Sequence, residues 1–245
     1  MGRIIPLVFE IKNYEGSRDF RMDTVVLEDG RDLVLVDAGT PGIYPVIEAA
    51  FQGAGLRIGD LTGIVATHQD QDHIGSLAAV KRAAPRARVY ASAAQAPGID
   101  GSAKPMRLIA EEEAYAKLPA ETRKRTPAPA GLWPEVERAE IGSIVSDGDV
   151  FPWCGGTEIV FMEGHMPGNL SLYVASEKAF IAGDSLSLDG AGNPVPPEKF
   201  TFDPALAKRS LAAAAARFDI RTIYCYHGGI WHGDGSAALS AISGY

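Results

Sequence analysis

Short apolar runs alternate with helix-like stretches along the first hundred residues of the chain. Residues 33–36 and 61–66 are short, largely apolar and rich in branched side chains, which is typical of buried strands. Residues 44–53 instead repeat their apolar positions with helical spacing and end at a glycine, as many helices do. Strands and helices that alternate in this way predict a layered α/β fold.

The segment between residues 96 and 134 has a different character, because it is charged, partly helical and rich in proline. We interpret it as an insertion, and as a candidate lid, over the body of a single domain that spans residues 1–245. Strand character returns after it. Further strands are predicted at residues 4–11, 22–27, 87–91, 144–145, 158–162, 170–175, 179–182 and 222–226, and further helices at 75–84, 106–118 and 206–218.

Composition narrows the functional classes. The chain has 245 residues, of which 46% are hydrophobic, and this is enough for one large core. Its formal net charge is −8 and no long run of Lys and Arg occurs, so we expect no nucleic-acid or anionic-membrane surface. No apolar run approaches a membrane span, no signal peptide is recognisable, and the two cysteines indicate no disulfide framework. We therefore expect a cytoplasmic protein that acts on a small molecule.

A run of metal-binding residue types follows the strand predicted at residues 61–66. His68, Asp70, Asp72 and His73 lie within six positions, in a segment that we expect to be a loop. Imidazole and carboxylate groups are costly to bury unless they are paired or coordinate an ion. They are also good ligands for zinc, iron and manganese. The run therefore predicts a metal site at the end of that strand.

Other acidic and imidazole residues occupy comparable positions elsewhere in the chain. His165 lies in the segment Gly-His-Met-Pro-Gly, Asp184 follows an apolar run, and His227 follows the last predicted strand. Asp37 ends the strand at residues 33–36, where a turn or helix cap is the competing interpretation. Each residue alone has an ordinary structural explanation, and it is their combination that favours a joint site.

Together these residues resemble the landmarks of the metallo-β-lactamase superfamily. The superfamily's His-x-His-x-Asp-His signature is similar to His-x-Asp-x-Asp-His at residues 68–73. The other landmarks follow in the family's order, namely Asp37-Ala38-Gly39 after a strand, Gly164-His165-Met166-Pro167-Gly168, Asp184 and His227. The resemblance covers nearly the whole chain. It implies an α/β fold of the four-layer αββα sandwich type, with metal ions at one edge between two mixed sheets.

The resemblance also implies a role for each residue. Two divalent metal ions would share the carboxylate of Asp184, and Asp37 would orient a ligand histidine by hydrogen bonding. Asp72 would be the catalytic residue, because it would steer a metal-bound hydroxide and take part in proton transfer to the leaving group. The first ion would be held by His68, Asp70 and His165, and the second by Asp72, His73 and His227.

Asp70 departs from the family pattern, in which most members have histidine at this position. The change adds a negative charge and a harder ligand to the first site. Flavodiiron proteins, which share the fold, also place a carboxylate here and bind iron. Zinc remains our first expectation, and iron or manganese gains weight as the alternative.

The sequence therefore favours a dinuclear metal-dependent hydrolase that cleaves an acyl bond of a small molecule. We rank ester or lactone cleavage first and thioester cleavage second. A non-heme di-iron or mono-iron redox enzyme of the same fold is the main alternative, and a true β-lactamase, a nuclease or a non-catalytic scaffold ranks lower. Substrate selection is expected in residues 95–133, where Met106, Tyr115 and Trp133 could line a pocket or simply pack together.

Overall fold

The computed structural model describes residues 2–14, 18–133 and 135–244 of the chain. The predicted domain limits Met1 and Tyr245, and Pro134 at the end of the predicted insertion, lie outside the described residues. Among the residues described, no helix has both the length and the apolar character needed to cross a membrane.

Strands and helices alternate as the sequence pattern predicts. The strands are β1 Arg3–Tyr14, β2 Arg18–Glu28, β3 Leu33–Val36, β4 Gly63–Val65, β5 Arg88–Ser92, β6 Ser143–Val145, β7 Val150–Phe151, β8 Thr157–Phe161, β9 Leu170–Val174, β10 Ala179–Gly183, β11 Ser187–Leu188, β12 Pro194–Val195, β13 Thr222–Cys225 and β14 Gly229–His232. The α-helices are α1 Tyr44–Gly53, α2 Gln71–Ile74, α3 Leu77–Ala83, α4 Ala96–Asp100, α5 Met106–Ala116, α6 Ala120–Arg123, α7 Pro204–Arg217 and α8 Gly235–Ser243.

In the described part of the chain, the long strands form two six-stranded mixed sheets. The first sheet has the order β1-β2-β3-β4-β5-β6, and its strands from β3 to β6 are parallel. The second sheet has the order β14-β13-β10-β9-β8-β7, in which β10 and β13 are the parallel pair. The short strands β11 and β12 form a separate antiparallel ladder.

Three apolar layers hold these elements together. The alternation of side chains along β3 shows how the layers arise, because Val34 and Val36 pack between the two sheets while Leu35 packs against the helices α1 and α3. In β10, Ile181 likewise faces the first sheet and Phe180 faces α7 and α8. Strands covered on both faces are apolar throughout, which is the pattern that the sequence shows. The predicted four-layer αββα sandwich is therefore confirmed.

Helix α2, strand β14 and helix α8 are among the local features that differ from the sequence-based expectation. Residues 71–74 form the short helix α2 rather than a loop, because the carbonyl oxygen of Asp70 accepts hydrogen bonds from the backbone of His73 (2.9 Å) and Ile74 (3.1 Å). Strand β14 and helix α8 were not predicted from the sequence. β14 pairs with β13 across a short turn, and the Asp234 carboxylate caps α8 by accepting a hydrogen bond from the backbone N–H of Ala237 at 3.0 Å.

The segment interpreted as an insertion has two parts. Helix α4 belongs to the body of the fold, because Ile99 is almost fully buried in the core beside α1 and α3. In contrast, no residue between 101 and 133 is fully buried, although α5 and α6 lie in this stretch. These residues cover the edge of the sandwich where the strands β3, β4, β10 and β13 end.

Candidate metal centre

The site begins at the carboxyl end of β3, where Asp37 turns the chain. Asp37 has a left-handed backbone conformation (φ 61°), which non-glycine residues adopt rarely and Asp and Asn more readily than most. Its side chain is fully buried. The carboxylate accepts hydrogen bonds from the backbone N–H and the hydroxyl of Thr67, both at 2.8 Å, and lies 2.8 Å from Nδ1 of His73. The Asp37 carboxylate thus links the end of β3 to the residues that follow β4.

These contacts determine which ring nitrogens of the histidines carry protons. The Thr67 hydroxyl donates to Asp37, so its oxygen is left to accept a hydrogen bond from Nδ1 of His68 at 3.0 Å. Nδ1 of His73 donates directly to Asp37. Both rings therefore carry a proton on Nδ1, and both turn Nε2, the atom that a cation would use, to the interior of the site.

Two further ligand-type residues depend on glycine at the position before them. Gly164, with φ +123°, lies so close to α7 that a Cβ atom would be 2.2 Å from the backbone nitrogen of Ala207. The close approach seats His165 against the start of α7, where its carbonyl oxygen accepts from Phe202 N at 3.1 Å. Gly183, with φ +53°, ends β10 and turns Asp184 into the same space.

The structure brings all seven predicted ligand side chains together. We call His68, Asp70 and His165 the first donor group, and Asp72, His73 and His227 the second donor group. In the first, Oδ2 of Asp70 lies 3.5 Å from Nε2 of His68 and 3.8 Å from Nε2 of His165. In the second, Oδ2 of Asp72 lies 3.2 Å from Nε2 of His227 and 3.9 Å from Nε2 of His73.

Asp184 lies between the two donor groups and contacts both. Its Oδ1 is 3.2 Å from Nε2 of His73 and 3.6 Å from Nε2 of His227. Its Oδ2 is 3.8 Å from Nε2 of His165. Ligands placed tetrahedrally at 2.0–2.2 Å from a metal ion would be about 3.3–3.6 Å apart. The spacing of the donors in both groups therefore fits a bound cation.

The unpaired polar atoms give an independent test of this fit. Nε2 of His68, His73 and His165 and Oδ1 of Asp184 are buried and have no hydrogen-bond partner. Buried polar groups are almost always paired, and a cation between these four atoms would give each of them a partner. The donor set consists of imidazole nitrogens and carboxylate oxygens, which zinc, iron and manganese all accept. The residues present can therefore hold divalent metal ions.

The neighbouring acidic and imidazole groups shift one another's pKa values. Burial alone would lower the pKa of His73, but the carboxylates of Asp184, Asp37 and Asp72 outweigh it and raise this pKa well above 6.5. Burial alone would raise the pKa of Asp184, but His73 and His227 outweigh it and lower this pKa far below its usual value. The acidic ligands are ionised at neutral pH, and a proton on His73 occupies the place that a cation would take.

Arg107 is a site residue that the sequence did not reveal. It lies on α5, and its guanidinium donates hydrogen bonds to the Asp70 carboxylate. Nε lies 2.9 Å from Oδ1 and 2.8 Å from Oδ2, and Nη2 also contacts Oδ2. Its Nη1 donates to the carbonyl oxygen of Phe200 at 3.1 Å, and the guanidinium lies over the ring of Phe202. Burial alone would raise the pKa of Asp70, but His165, His68 and Arg107 outweigh it, and this pKa lies well below its usual value.

A cleft of about 1210 Å³ opens above the donor groups. Its floor contains four of the ligand-type residues, Asp70, Asp72, Asp184 and His227. Tyr115 and Trp133 are among the lining residues, whereas Met106 is not. The walls come from α5, from residues 118–133 and from the segment before α7, and they include Ala110, Ala114, Leu118, Pro127, Pro129, Leu132, Phe200 and Phe202. The walls are thus mainly apolar and the floor is polar, as in many small-molecule sites.

Comparison with known proteins tests the family resemblance directly. A family model described as the metallo-beta-lactamase superfamily matches residues 20–227, which include every predicted ligand. The chain belongs to this superfamily. Its four-layer fold and the location of its donor groups at one edge of the two sheets are those that the resemblance implies.

Individual relatives within the superfamily are distant. An uncharacterized protein of Bacillus subtilis (strain 168), YobT, is 26% identical over 176 residues, which cover 70% of this chain but only 64% of that protein. A metallo-beta-lactamase family protein from Thermus thermophilus superposes with a TM-score of 0.70 at 20% identity, over 98% of this chain and 78% of that chain. The metallo-beta-lactamase FIM-1 from Pseudomonas aeruginosa, in its mono-zinc form, gives a TM-score of 0.66 at 15% identity, over 98% and 91%. At these identities the solved structures show the fold alone.

Three residues that support the site were not found from the sequence. Thr67 links Asp37 to His68, and the hydroxyl of Tyr226 donates a hydrogen bond of 2.6 Å to the carbonyl oxygen of Asp72. Both residues lie next to a recognised histidine, which is the only signal that could have singled them out. Arg107 has no such neighbour, and only the need for a counter-charge to Asp70 could have directed attention to a basic residue in the insertion.

Proposed function

We propose that this protein is a metal-dependent hydrolase that cleaves an acyl bond in a small molecule. An ester or lactone is the first candidate substrate and a thioester is the second. The observation that carries the proposal is the pair of donor groups that share Asp184 on the floor of a cleft. Membership of a superfamily that consists mostly of metal-dependent hydrolases supports it.

Each donor group would hold one divalent metal ion, and the two oxygens of Asp184 would serve both ions. Such cations lower the pKa of water towards neutrality and polarise a substrate carbonyl. Zinc is our first choice, and the mono-zinc form of FIM-1 shows that a protein of this fold binds it. The metal preference remains part of the proposal.

Asp72 is the residue that we propose for proton transfer. Its side chain is one-quarter exposed and lines the cleft, whereas its Oδ2 lies 3.2 Å from Nε2 of His227. Burial alone would raise its pKa, but His73 and His227 outweigh it and lower the pKa below the usual value, so the carboxylate is ionised at neutral pH. Oδ2 belongs to the second donor group, so ionised Asp72 would accept a proton from an attacking water at its other carboxylate oxygen and deliver it to the leaving group.

The character of the cleft supports a small, largely uncharged substrate. Its walls are mainly apolar, and two of its charged side chains are already paired, Arg107 with Asp70 and Glu111 with the indole N–H of Trp133 at 2.7 Å. An acyl compound with an apolar group fits these walls better than a polyanion does. The formal net charge of −8 also disfavours a nucleic acid as the substrate.

A hydrolysis screen with a matched variant tests the proposal. Zinc-loaded wild-type protein should hydrolyse members of a panel of esters, lactones, thioesters and β-lactams, and chelator treatment should abolish the activity. Asp72→Asn should reduce kcat by about 10²-fold or more, because the general base is lost. A wild-type protein that holds two metal ions per chain and yet hydrolyses no member of the panel would contradict the proposal.

An iron-dependent redox enzyme of the same fold is the second candidate. The carboxylate of Asp70 favours it, because an added oxygen ligand suits iron or manganese better than zinc. Quantifying the metal in protein purified without added ions separates the two candidates. Two zinc ions per chain without iron would end the redox interpretation, whereas bound iron with oxygen-consuming activity would support it.

A further inference from the structure

Asp70 gives the first donor group a charge that the family signature does not have. Most members have a neutral imidazole where this chain has a carboxylate, and Asp184 already supplies a negative charge on the same side of the site. The side chain of Asp70 is only 12% exposed, so water screens the extra charge poorly. A basic side chain beside Asp70 would balance this added charge.

Arg107 supplies this charge from outside the sandwich. It is carried by α5, in the stretch of residues 101–133 where no residue is fully buried. Its own side chain is nevertheless only 18% exposed, because the guanidinium reaches down to Asp70. In the described part of the chain, Asp70 is the only carboxylate with which Arg107 forms an ion pair.

Building on the proposed metal centre, we propose that Arg107 is a positioning residue for the first metal ion. It balances the charge of Asp70 and fixes the carboxylate so that Oδ2 faces His68 and His165. The pair Asp70–Arg107 thus presents to the cation an oxygen ligand with nearly the net charge of a neutral histidine. The insertion becomes a part of the metal centre as well as a wall of the cleft.

The geometry of the contact between the Arg107 guanidinium and the Asp70 carboxylate supports this role. A guanidinium that holds a carboxylate through two nitrogens fixes the plane of the carboxylate, which a lysine ammonium cannot do. Oδ2 accepts from both Nε and Nη2 of Arg107, and the same oxygen lies 3.5 and 3.8 Å from the two imidazoles, so the guanidinium and a cation would act on one carboxylate oxygen. The hydrogen bond to the carbonyl oxygen of Phe200 and the contact with the ring of Phe202 hold the guanidinium from its other sides.

Helix α5 is also anchored beside Asp70 through its first residue. The backbone N–H of Met106 donates to Oε1 of Gln69 at 2.8 Å, so neighbouring residues of α5 contact neighbouring residues of the ligand segment. A cation that orders Asp70 would order Arg107 and the start of α5 with it. Because coupling between two equilibria is reciprocal, fixing α5 would also favour binding of the cation.

A double-mutant cycle on Asp70 and Arg107 tests the charge balance without any substrate. Asp70→His restores the family's usual ligand but leaves Arg107 facing a cation with no counter-charge. We expect it to weaken zinc binding at the first donor group on the order of tenfold, as measured by chelator competition. Adding Arg107→Met to this variant should restore the affinity to within about threefold of wild type.

Two further variants separate charge from geometry. Arg107→Lys keeps the positive charge but loses the contact of two guanidinium nitrogens with the carboxylate. Zinc affinity should therefore stay within about threefold of wild type, while the visible spectrum of the cobalt-substituted protein changes. Arg123→Met is the matched control. Arg123 lies in the same insertion and donates to the carbonyl oxygen of Ala116 rather than to a ligand, so this variant should match wild type. His68→Ala identifies which step of the titration belongs to the first donor group.

Hydrogen exchange measures the coupling to the insertion. Zinc should slow amide exchange in α5 of the wild-type protein, and Arg107→Met should remove this effect while leaving the slowing at residues 67–74. If Arg107→Met weakens zinc binding equally in the wild-type protein and in the Asp70→His variant, the charge-balance role is wrong. If Asp70→His binds zinc as tightly as wild type while Arg107 is present, it is also wrong. None of these measurements depends on turnover, so a failed substrate screen would overturn the proposed function and leave this inference standing.

Discussion

Replacing Asp37 by Asn tests how the buried carboxylate prepares the histidines for metal binding. Asn has nearly the same shape and tolerates the left-handed backbone (φ 61°) better than other uncharged residues. However, the carboxylate accepts from two N–H donors, Thr67 N and His73 Nδ1, at different oxygens. In either orientation the amide NH₂ of Asn faces one of them. If it faces His73, the ring is driven to carry its proton on Nε2, where a cation would bind.

The expected magnitude follows from these contacts. Loss of the partner that orients a ligand histidine costs about 10–100-fold in metal affinity. One buried donor left without an acceptor costs about 1–3 kcal/mol of folding stability. The free energy of unfolding of Asp37→Ala should be lower than that of Asp37→Asn by roughly 1–2 kcal/mol, because alanine adopts the left-handed conformation less readily.

Zinc affinity by chelator competition and the free energy of unfolding by urea denaturation check both expectations. Asp60→Asn provides the control, because Asp60 is 58% exposed and its nearest ion-pair distance, to Arg57, is 3.9 Å. That variant should lie within about 0.5 kcal/mol of wild type. If Asp37→Asn bound zinc with wild-type affinity, the idea that Asp37 sets the protonation of His73 would be refuted.

Three other expectations concern protons, packing and the cleft. Zinc binding must displace the proton that His73 holds above pH 6.5, so affinity should rise with pH through the raised pKa, and calorimetry in buffers of different ionisation enthalpy should detect proton release. Gly75→Ala should lower the free energy of unfolding in urea by about 1–3 kcal/mol, because its Cβ would lie 2.2 Å from the backbone nitrogen of Pro41. Gly53→Ala is the control, because its Cβ would meet nothing within 4 Å, and it should be neutral or slightly stabilising. Trp133→Ala should raise KM several-fold with a smaller change in kcat, since Trp133 lines the wall and not the floor of the cleft. A fall in kcat as large as the rise in KM would contradict this and indicate that Trp133 takes part in the reaction.

The layered fold could be predicted from the sequence because its strands carry their own signal. Strands such as β3 and β10 are apolar throughout and end at an acidic residue or a glycine, so both their type and their polar ends can be recognised. The segments that carry the ligand residues share this property, since each segment follows a strand or a glycine turn. The family resemblance implied that Asp37 orients a ligand histidine, and its carboxylate lies 2.8 Å from Nδ1 of His73.

What the sequence did not reveal depends on contacts between distant residues. Nothing near Arg107 in the sequence marks it, because its partner Asp70 lies 37 positions away and the helix that carries it has no apolar face buried in the core. Strand β14 was missed because glycines flank it and its stability comes from pairing with β13. Helix α2 was missed because four residues are too few to give a helical repeat.

The chain segments that meet at the donor groups come from both sheets. His68 follows β4 in one sheet, and Asp184 and His227 follow β10 and β13 in the other. Two ions that share Asp184 would cross-link the two halves of the sandwich, with most of the polypeptide lying between His68 and His227. Removing the ions should therefore weaken the packing between the two sheets first at this edge. Thermal unfolding of the protein without metal should show a broader, less cooperative transition than thermal unfolding of the metal-bound protein.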